Sequence, residues 1–194
     1  MAKPLMLYVH GFMSSGSTLK GQALRRRYGE RFEVRTPTYA QQDPHRSVQA
    51  LMEQMAGHER GVIVGSSLGG FYARWLGAQQ GWPVVLINPA LDLRCIDDFS
   101  DGEHVNPYTG ERVGVDARWR EALAAYRCEP KPPALLLLCH DDAVVRPQCA
   151  LEQYGGIGEI LLLPQGGHAC WPLEAAWATL DGFIERQCSG ENVQ

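Results

Sequence analysis

The sequence predicts an α/β fold: a mostly parallel sheet of about six strands, with helices on both faces and a small cap. Three observations predict it. Short runs of apolar or β-branched residues recur along the chain, stretches of helical periodicity lie between them, and one long polar interruption at residues 91–133 breaks the alternation. At 194 residues and 21.5 kDa the chain fits one domain, expected to span residues 1–194 with 91–133 as a cap-like insertion. A domain of this size buries roughly 70% of the surface its unfolded chain exposes, enough for a real core.

The elements follow in order. Residues 5–9 (LMLYV) form a near-continuous apolar run, the pattern of a strand covered on both faces. The amphipathic stretch after it carries Arg25, Arg26 and Arg27, which read as the solvated face of a helix. Residues 32–36 give the second strand. Val48, Leu51, Met52 and Met55 fall at i, i+3, i+4 and i+7 and predict a helix. Residues 62–64 are a strand, and Leu68, Phe71, Tyr72, Trp75 and Leu76 switch at once to helical spacing. Residues 84–87 are the next strand. The insertion at 91–133 holds polar, Gly- and Pro-containing sequence, a short helical pattern through Trp119, Leu123 and Tyr126, and a Lys-Pro-Pro lead into the following strand. A connection of that length is usually functional or partly mobile, and it reads as a cap over one edge of the sheet. Residues 135–138 and 160–163 complete the strands. Pro147 and Pro172 precede helical patterns at positions suited to a first turn, where the missing N–H costs nothing; Leu173, Ala176, Trp177, Leu180, Phe183 and Ile184 mark the closing helix. Strands alternating with helices require a parallel sheet, because each crossover must travel back over a face.

Composition excludes several classes of function. The formal net charge of −4 and pI near 5.9 give no long-range field to gather nucleic acid or anionic lipid. The apolar run at residues 5–9 is too short for a membrane span or a signal-peptide core, so a cytoplasmic protein with no membrane association is expected. The six cysteines, Cys95, Cys128, Cys139, Cys149, Cys170 and Cys188, show no C-x-x-C pair and read as reduced, mostly buried thiols. No H-E-x-x-H and no Asp-rich calcium loop occurs, so neither a metal nor a cofactor is expected.

The stretch GVIVGSSLGGFYARW, residues 61–75, carries the chemistry. Gly65-Ser66-Ser67-Leu68-Gly69 has the form G-x-S-x-G and stands between a strand and a helix, where a tight turn lifts a serine hydroxyl above the carboxyl end of the sheet. Small neighbours are needed there, because the serine backbone is strained and other segments pass close by. A serine needs a base, and the base needs an acid to hold its tautomer. In α/β-hydrolases these follow in the order acid, then histidine. Asp141 and Asp142 lie just past the strand at 135–138, and His168 lies just past the strand at 160–163. Ser67 is therefore the expected nucleophile and His168 the base. Asp142 is preferred to Asp141 as acid, because Ala-Val-Val and a proline follow it. His10-Gly11-Phe12 after the first strand has the form of an oxyanion loop, with the backbone amides of Phe12 and Leu68 as donors and His10 as a structural hydrogen-bonder.

His10-Gly-Phe, Gly65-Ser-Ser-Leu-Gly-Gly, Asn88-Pro-Ala, Asn106-Pro-Tyr-Thr-Gly and Gly167-His168-Ala together resemble the small bacterial YqiA/YcfP-type esterases of the α/β-hydrolase superfamily. The resemblance runs from the first strand to the last helix, and Asn-Pro-Tyr-Thr-Gly is its most specific part. It implies a compact α/β-hydrolase fold and hydrolysis of short acyl esters or acyl thioesters, acyl-CoA among them, with Ser67, Asp142 and His168 as triad. Gly167 departs from the pattern, where asparagine is expected in some relatives, and Cys170-Trp171 would make that wall of the site bulkier. Asn106 to Gly110 reads equally as a structural turn. Phe99, Tyr108, Trp119 and Tyr126 offer apolar surface for an acyl chain, or core. The rival readings are a binding protein on the same fold without turnover, and a hydrolase acting on peptides or amides.

Overall fold

The computed structural model describes residues 2–96, 99–131 and 133–188. Its frame is one sheet of six parallel strands in the order β2-β1-β3-β4-β7-β8. These are β1 (Leu5–Val9), β2 (Glu33–Arg35), β3 (Gly61–Ser66), β4 (Val84–Ile87), β7 (Ala134–Cys139) and β8 (Glu159–Leu163). The helices are α1 (Leu19–Tyr28), α2 (Pro44–Met55), α3 (Leu68–Gln80), α4 (Ala117–Ala124), α5 (Pro147–Tyr154) and α6 (Trp177–Cys188). The chain steps outward from β1 to β2, then returns past β1 to β3 and runs the other way. That reversal opens a crevice at the carboxyl ends of β1 and β3, where open α/β sheets bind ligands.

Alternating side chains explain why the sheet holds helices on both faces. Leu5, Leu7 and Val9 of β1 join Ile63, Leu86 and Leu136 in a core covered by α2, α3, α4 and α5. Met6 and Tyr8 join Val62, Val64, Ile87 and Leu137 in a second core under α1 and α6. The central strands β1, β3, β4 and β7 are buried throughout. Both sheet edges differ from the expectation of two covered faces: β8 leaves Leu162 45% exposed, and β2 has no fully buried residue. Met52, within the α2 stripe, is also exposed.

Asp43 caps α2 by accepting the His45 N–H, and Asp116 caps α4 by accepting the Trp119 N–H. Pro147 opens α5 as expected. Pro172 does not open a helix: it follows a cis bond from Trp171, a 3-10 turn occupies Glu174–Ala176, and α6 begins only at Trp177. Arg27 of the basic cluster is not simply solvated, since it pairs with Asp181 and lies 4.8 Å over the Trp177 ring, bracing α1 on α6.

The insertion is more ordered than its composition suggests. It forms an antiparallel hairpin, β5 (Gly102–Val105) with β6 (Arg112–Val115), followed by α4. Val113, Val115, Trp119 and Leu123 point into the core, while Tyr126 lies past the end of α4. The Lys-Pro-Pro lead falls partly outside the described residues, at position 132.

The expectation of six reduced thiols is overturned. Cys95 and Cys149 form a disulfide, with Cα atoms 6.1 Å apart, and Cys128, Cys139, Cys170 and Cys188 are free. The two partners stand 54 residues apart, so no local spacing announces them. They meet because the segment after β4 is stitched to the segment before α5, through the Ile96–Val145 bridge and the Arg146 N–H to Cys95 carbonyl bond.

Candidate active site

The strand register brings the site loops to one level. Val9 pairs with Gly65, Ser66 with Ile87, and Cys139 with Leu163, so the chain leaves β1, β3, β4, β7 and β8 at the same rim. Ser67 stands at the turn from β3 to α3 with φ +54° and ψ −126°, a conformation that L residues avoid. Its backbone is held there by three bonds: its N–H donates to Ile87, and its carbonyl accepts from Gly70 and Ala90. The turn tolerates no bulk. A Cβ at Gly69 would lie 2.1 Å from the Val9 carbonyl oxygen, and one at Gly65 would lie 2.4 Å from that of Gly69.

Ser67, His168 and Asp142 come together in one series. His168 Nε2 lies 2.9 Å from Ser67 Oγ, and His168 Nδ1 lies 2.9 and 3.1 Å from Asp142 Oδ2 and Oδ1. An ionised carboxylate only accepts, so Nδ1 carries the proton and Nε2 is left to accept from the Ser67 hydroxyl. The Asp142 side chain is fully buried and the His168 side chain 28% exposed. Burial by itself raises the Asp142 carboxyl. Hydrogen bonds from His168 and from the Val145 and Val144 amides outweigh that effect, and its pKa lies below the ordinary carboxylate value.

Asp141 does something else. Its carboxylate accepts the Gly167 N–H at 2.8 Å and the Gly166 N–H at 3.3 Å, gripping the loop that carries the histidine. The same loop is held by Asn88, whose Nδ2 donates to the Gly167 and His168 carbonyls, and by Lys20, whose Nζ donates to the Ala169 carbonyl at 2.6 Å. Burial lowers the Lys20 pKa. Among the remaining histidines, His10 is fully buried, stacked 4.3 Å on Tyr39, and donates through Nδ1 to the Gly11 carbonyl. His45 and His104 face Tyr126 and Phe12 respectively.

A cleft of about 670 Å³ opens over Ser67 and His168, bounded by Phe12, Met13, Leu19, Tyr108 and Trp171. Phe12 enters it from the loop after β1, and Leu68 opens α3, where a first-turn amide has no intrahelical acceptor. Of the four cap aromatics, only Tyr108 lines the cleft. Phe99 and Trp119 pack on the Phe12 ring at 5.3 and 5.8 Å, and Tyr126 packs on Trp75 at 5.0 Å. Asn106 is buried and makes a turn: its side chain accepts the Tyr108 N–H and donates to the Ser14 carbonyl, fastening the hairpin to the loop after β1. Sequence reasoning passed over Gln41, Lys20 and the supporting role of Asn88. Only Asn88 left a signal in the sequence, its Asn-Pro step, and the structure gives it a φ of +39°. Among the described residues, no three His, Cys, Asp or Glu side chains cluster as metal ligands would, and no helix is long and apolar enough to cross a membrane.

Solved structures share this fold. Mouse alpha/beta hydrolase domain-containing protein 10 superposes with a TM-score of 0.74 at 15% identity, over 96% of this chain and 92% of its own. Est1E from Butyrivibrio proteoclasticus, with ferulic acid bound, gives 0.75 at 13%, over 97% and 90%. A structure of the metagenome-derived lipolytic enzymes LipS and LipT gives 0.72 at 18%, over 95% and 94%. At these identities the likeness establishes the α/β-hydrolase fold. Residues 5–182 match the model of an uncharacterised protein family, UPF0227, the family to which the YqiA/YcfP-type resemblance pointed. With nearly the whole sequence covered by that match, the chain belongs to the UPF0227 family, on an α/β-hydrolase fold.

Proposed function

We propose that the protein is a serine hydrolase that cleaves carboxylic esters or acyl thioesters through an acyl-enzyme on Ser67. The observation that carries this reading is the unbroken series from Asp142 through His168 to Ser67, ending beneath an open cleft. In the proposed reaction, His168 Nε2 takes the Ser67 hydroxyl proton as Oγ attacks the acyl carbon. The resulting oxyanion is stabilised by the amides of Phe12 and Leu68, where losing one donor typically costs about 2.7–4 kcal/mol. Collapse expels an alcohol or thiol, which receives the proton from His168. A water deprotonated by His168 then releases the acid and restores Ser67. Asp142 keeps the imidazole in the productive tautomer and stabilises its transient charge.

The proposal includes a small-molecule substrate and a single domain over residues 1–194, with 91–133 as its cap. The cytoplasmic setting expected from the sequence has the Cys95–Cys149 bridge against it, because disulfides persist mainly in oxidising compartments. A fluorophosphonate probe tests the reading. Stoichiometric labelling that Ser67→Ala abolishes, together with turnover of p-nitrophenyl esters or acyl thioesters, supports it. Absence of labelling and turnover points to a binding protein instead, and faster cleavage of aminoacyl anilides than of esters points to an amidase.

A further inference from the structure

Gln41 lies between β2 and α2, outside every motif of the sequence, and is buried at 3% exposure. Both ends of its side-chain amide bond to the loop after β1. Nε2 donates to the Gly11 carbonyl at 3.0 Å, and Oε1 accepts the Met13 N–H at 3.0 Å. These partners fix which way the amide lies, since a carbonyl only accepts and a backbone N–H only donates. The Gly11 carbonyl also accepts from His10 Nδ1 at 2.9 Å, so two donors hold it.

The bond between Gly11 and Phe12 is trans, and in a planar trans peptide the N–H points opposite to the C=O. Holding the Gly11 carbonyl toward Gln41 and His10 therefore turns the Phe12 N–H the other way. Gly11 itself packs against the nucleophile: a Cβ built on it would lie 3.0 Å from Ser67 Cβ and 3.5 Å from Ser67 Oγ. Met13, at φ +53°, is kept in an unfavourable conformation by the same Gln41 side chain.

Gln41 is in turn gripped by the cap. Its N–H donates to Glu111 Oε1 at 2.6 Å, and its carbonyl accepts the Trp119 Nε1–H at 3.0 Å. Glu111 directly precedes β6, and Trp119 belongs to α4. A continuous set of hydrogen bonds therefore runs from the insertion, through Gln41, to the peptide beside Ser67.

We propose that Gln41 is a positioning residue that aims the Phe12 N–H at the oxyanion of the tetrahedral intermediate, with the cap holding Gln41 in place. This inference rests on the hydrolase reading. Gln41 touches neither substrate nor nucleophile; it acts by orienting a donor, and a donor aimed off the oxyanion loses most of its worth while leaving ground-state binding untouched.

The test uses the full chain carrying Gln41→Met, which keeps the length of the side chain and loses both bonds. Gln41→Glu keeps the acceptor for Met13 and loses the donor to Gly11, and gives the same reading should the first variant fail to fold. Active sites are counted by fluorophosphonate titration, and kcat, KM and the Ki of a trifluoromethyl ketone are measured per titrated site. We expect kcat to fall on the order of 10- to 100-fold, with KM within about twofold and the ketone's affinity falling by the same factor as kcat. A residue that merely supported folding would reduce the number of titratable sites and leave kcat and Ki per site unchanged, and that result overturns the inference. If the wild-type protein neither takes the label nor turns over ester, the hydrolase reading fails and takes this inference with it. An active wild type with unaltered variants sinks the inference alone.

Discussion

Asn88 donates its side-chain amide to the carbonyl of Gly167 at 2.8 Å, tying the end of β4 to the loop that carries His168. The same side chain accepts the Cys139 N–H at 2.8 Å, so one buried residue links the strand before Asp142 to the loop of His168. Asn88→Ala leaves the Cys139 N–H without its partner and takes a donor from the Gly167 and His168 carbonyls, the first of which keeps the Cys170 N–H. At about 1–3 kcal/mol for the orphaned buried N–H and about 1 kcal/mol for the lost donor bond, the expected destabilisation is roughly 2–4 kcal/mol. Urea unfolding measures it; a loss under about 0.5 kcal/mol, the range of an ordinary surface change, counts against the bracing role.

The two neighbouring aspartates should behave very differently. Asp142→Asn removes the charge that selects the His168 tautomer and is expected to lower kcat on the order of 10³- to 10⁴-fold. Asp141→Asn keeps an oxygen that can still accept the Gly167 N–H, and a hydrogen bond weakened by about 1 kcal/mol gives only about a fivefold loss. Steady-state kinetics of both variants on one ester decides the matter, and a larger loss at Asp141 reverses the assignment.

His10 makes stability depend on pH. Burial pushes its imidazole from the ordinary 6.5 down to about 4, with the hydrogen bond to Gly11 opposing in part. The unfolded chain thus binds this proton at higher pH than the folded one. The stabilisation is complete above about 6.5 and is lost as pH falls toward about 4, at roughly 1.4 kcal/mol per pH unit and about 3 kcal/mol in all. Unfolding free energies of wild type and His10→Gln across that window should converge as the pH drops. Parallel curves would show that His10 takes no part.

Much of this molecule was legible because its physics is local. The central strands read as continuous apolar runs since helices cover both their faces, and the G-x-S-x-G turn reads because a Cβ at Gly69 or Gly65 would lie only 2.1–2.4 Å from a backbone oxygen. The convergence of Ser67, Asp142 and His168 reads from chain order together with strand ends. The hairpin was missed because Val113 and Val115 alternate over too short a span, amid Gly, Asn and Pro, to outweigh a loop reading. Leu162 was expected to be covered because edge position is set by strand order, which a single strand does not reveal. Gln41 carries no periodicity at all; its importance exists only once the loop after β1 and the cap have come to meet it.

The Cys95–Cys149 bridge encloses a length of chain that contains the whole hairpin, α4 and β7. By loop-closure entropy, cross-linking ends this far apart disfavours the unfolded ensemble by about 4 kcal/mol. The bridge also makes the insertion resistant to loss by cleavage. A protease that nicks the exposed tip near Tyr108 leaves two pieces still covalently joined, which separate on a gel only after reductant is added.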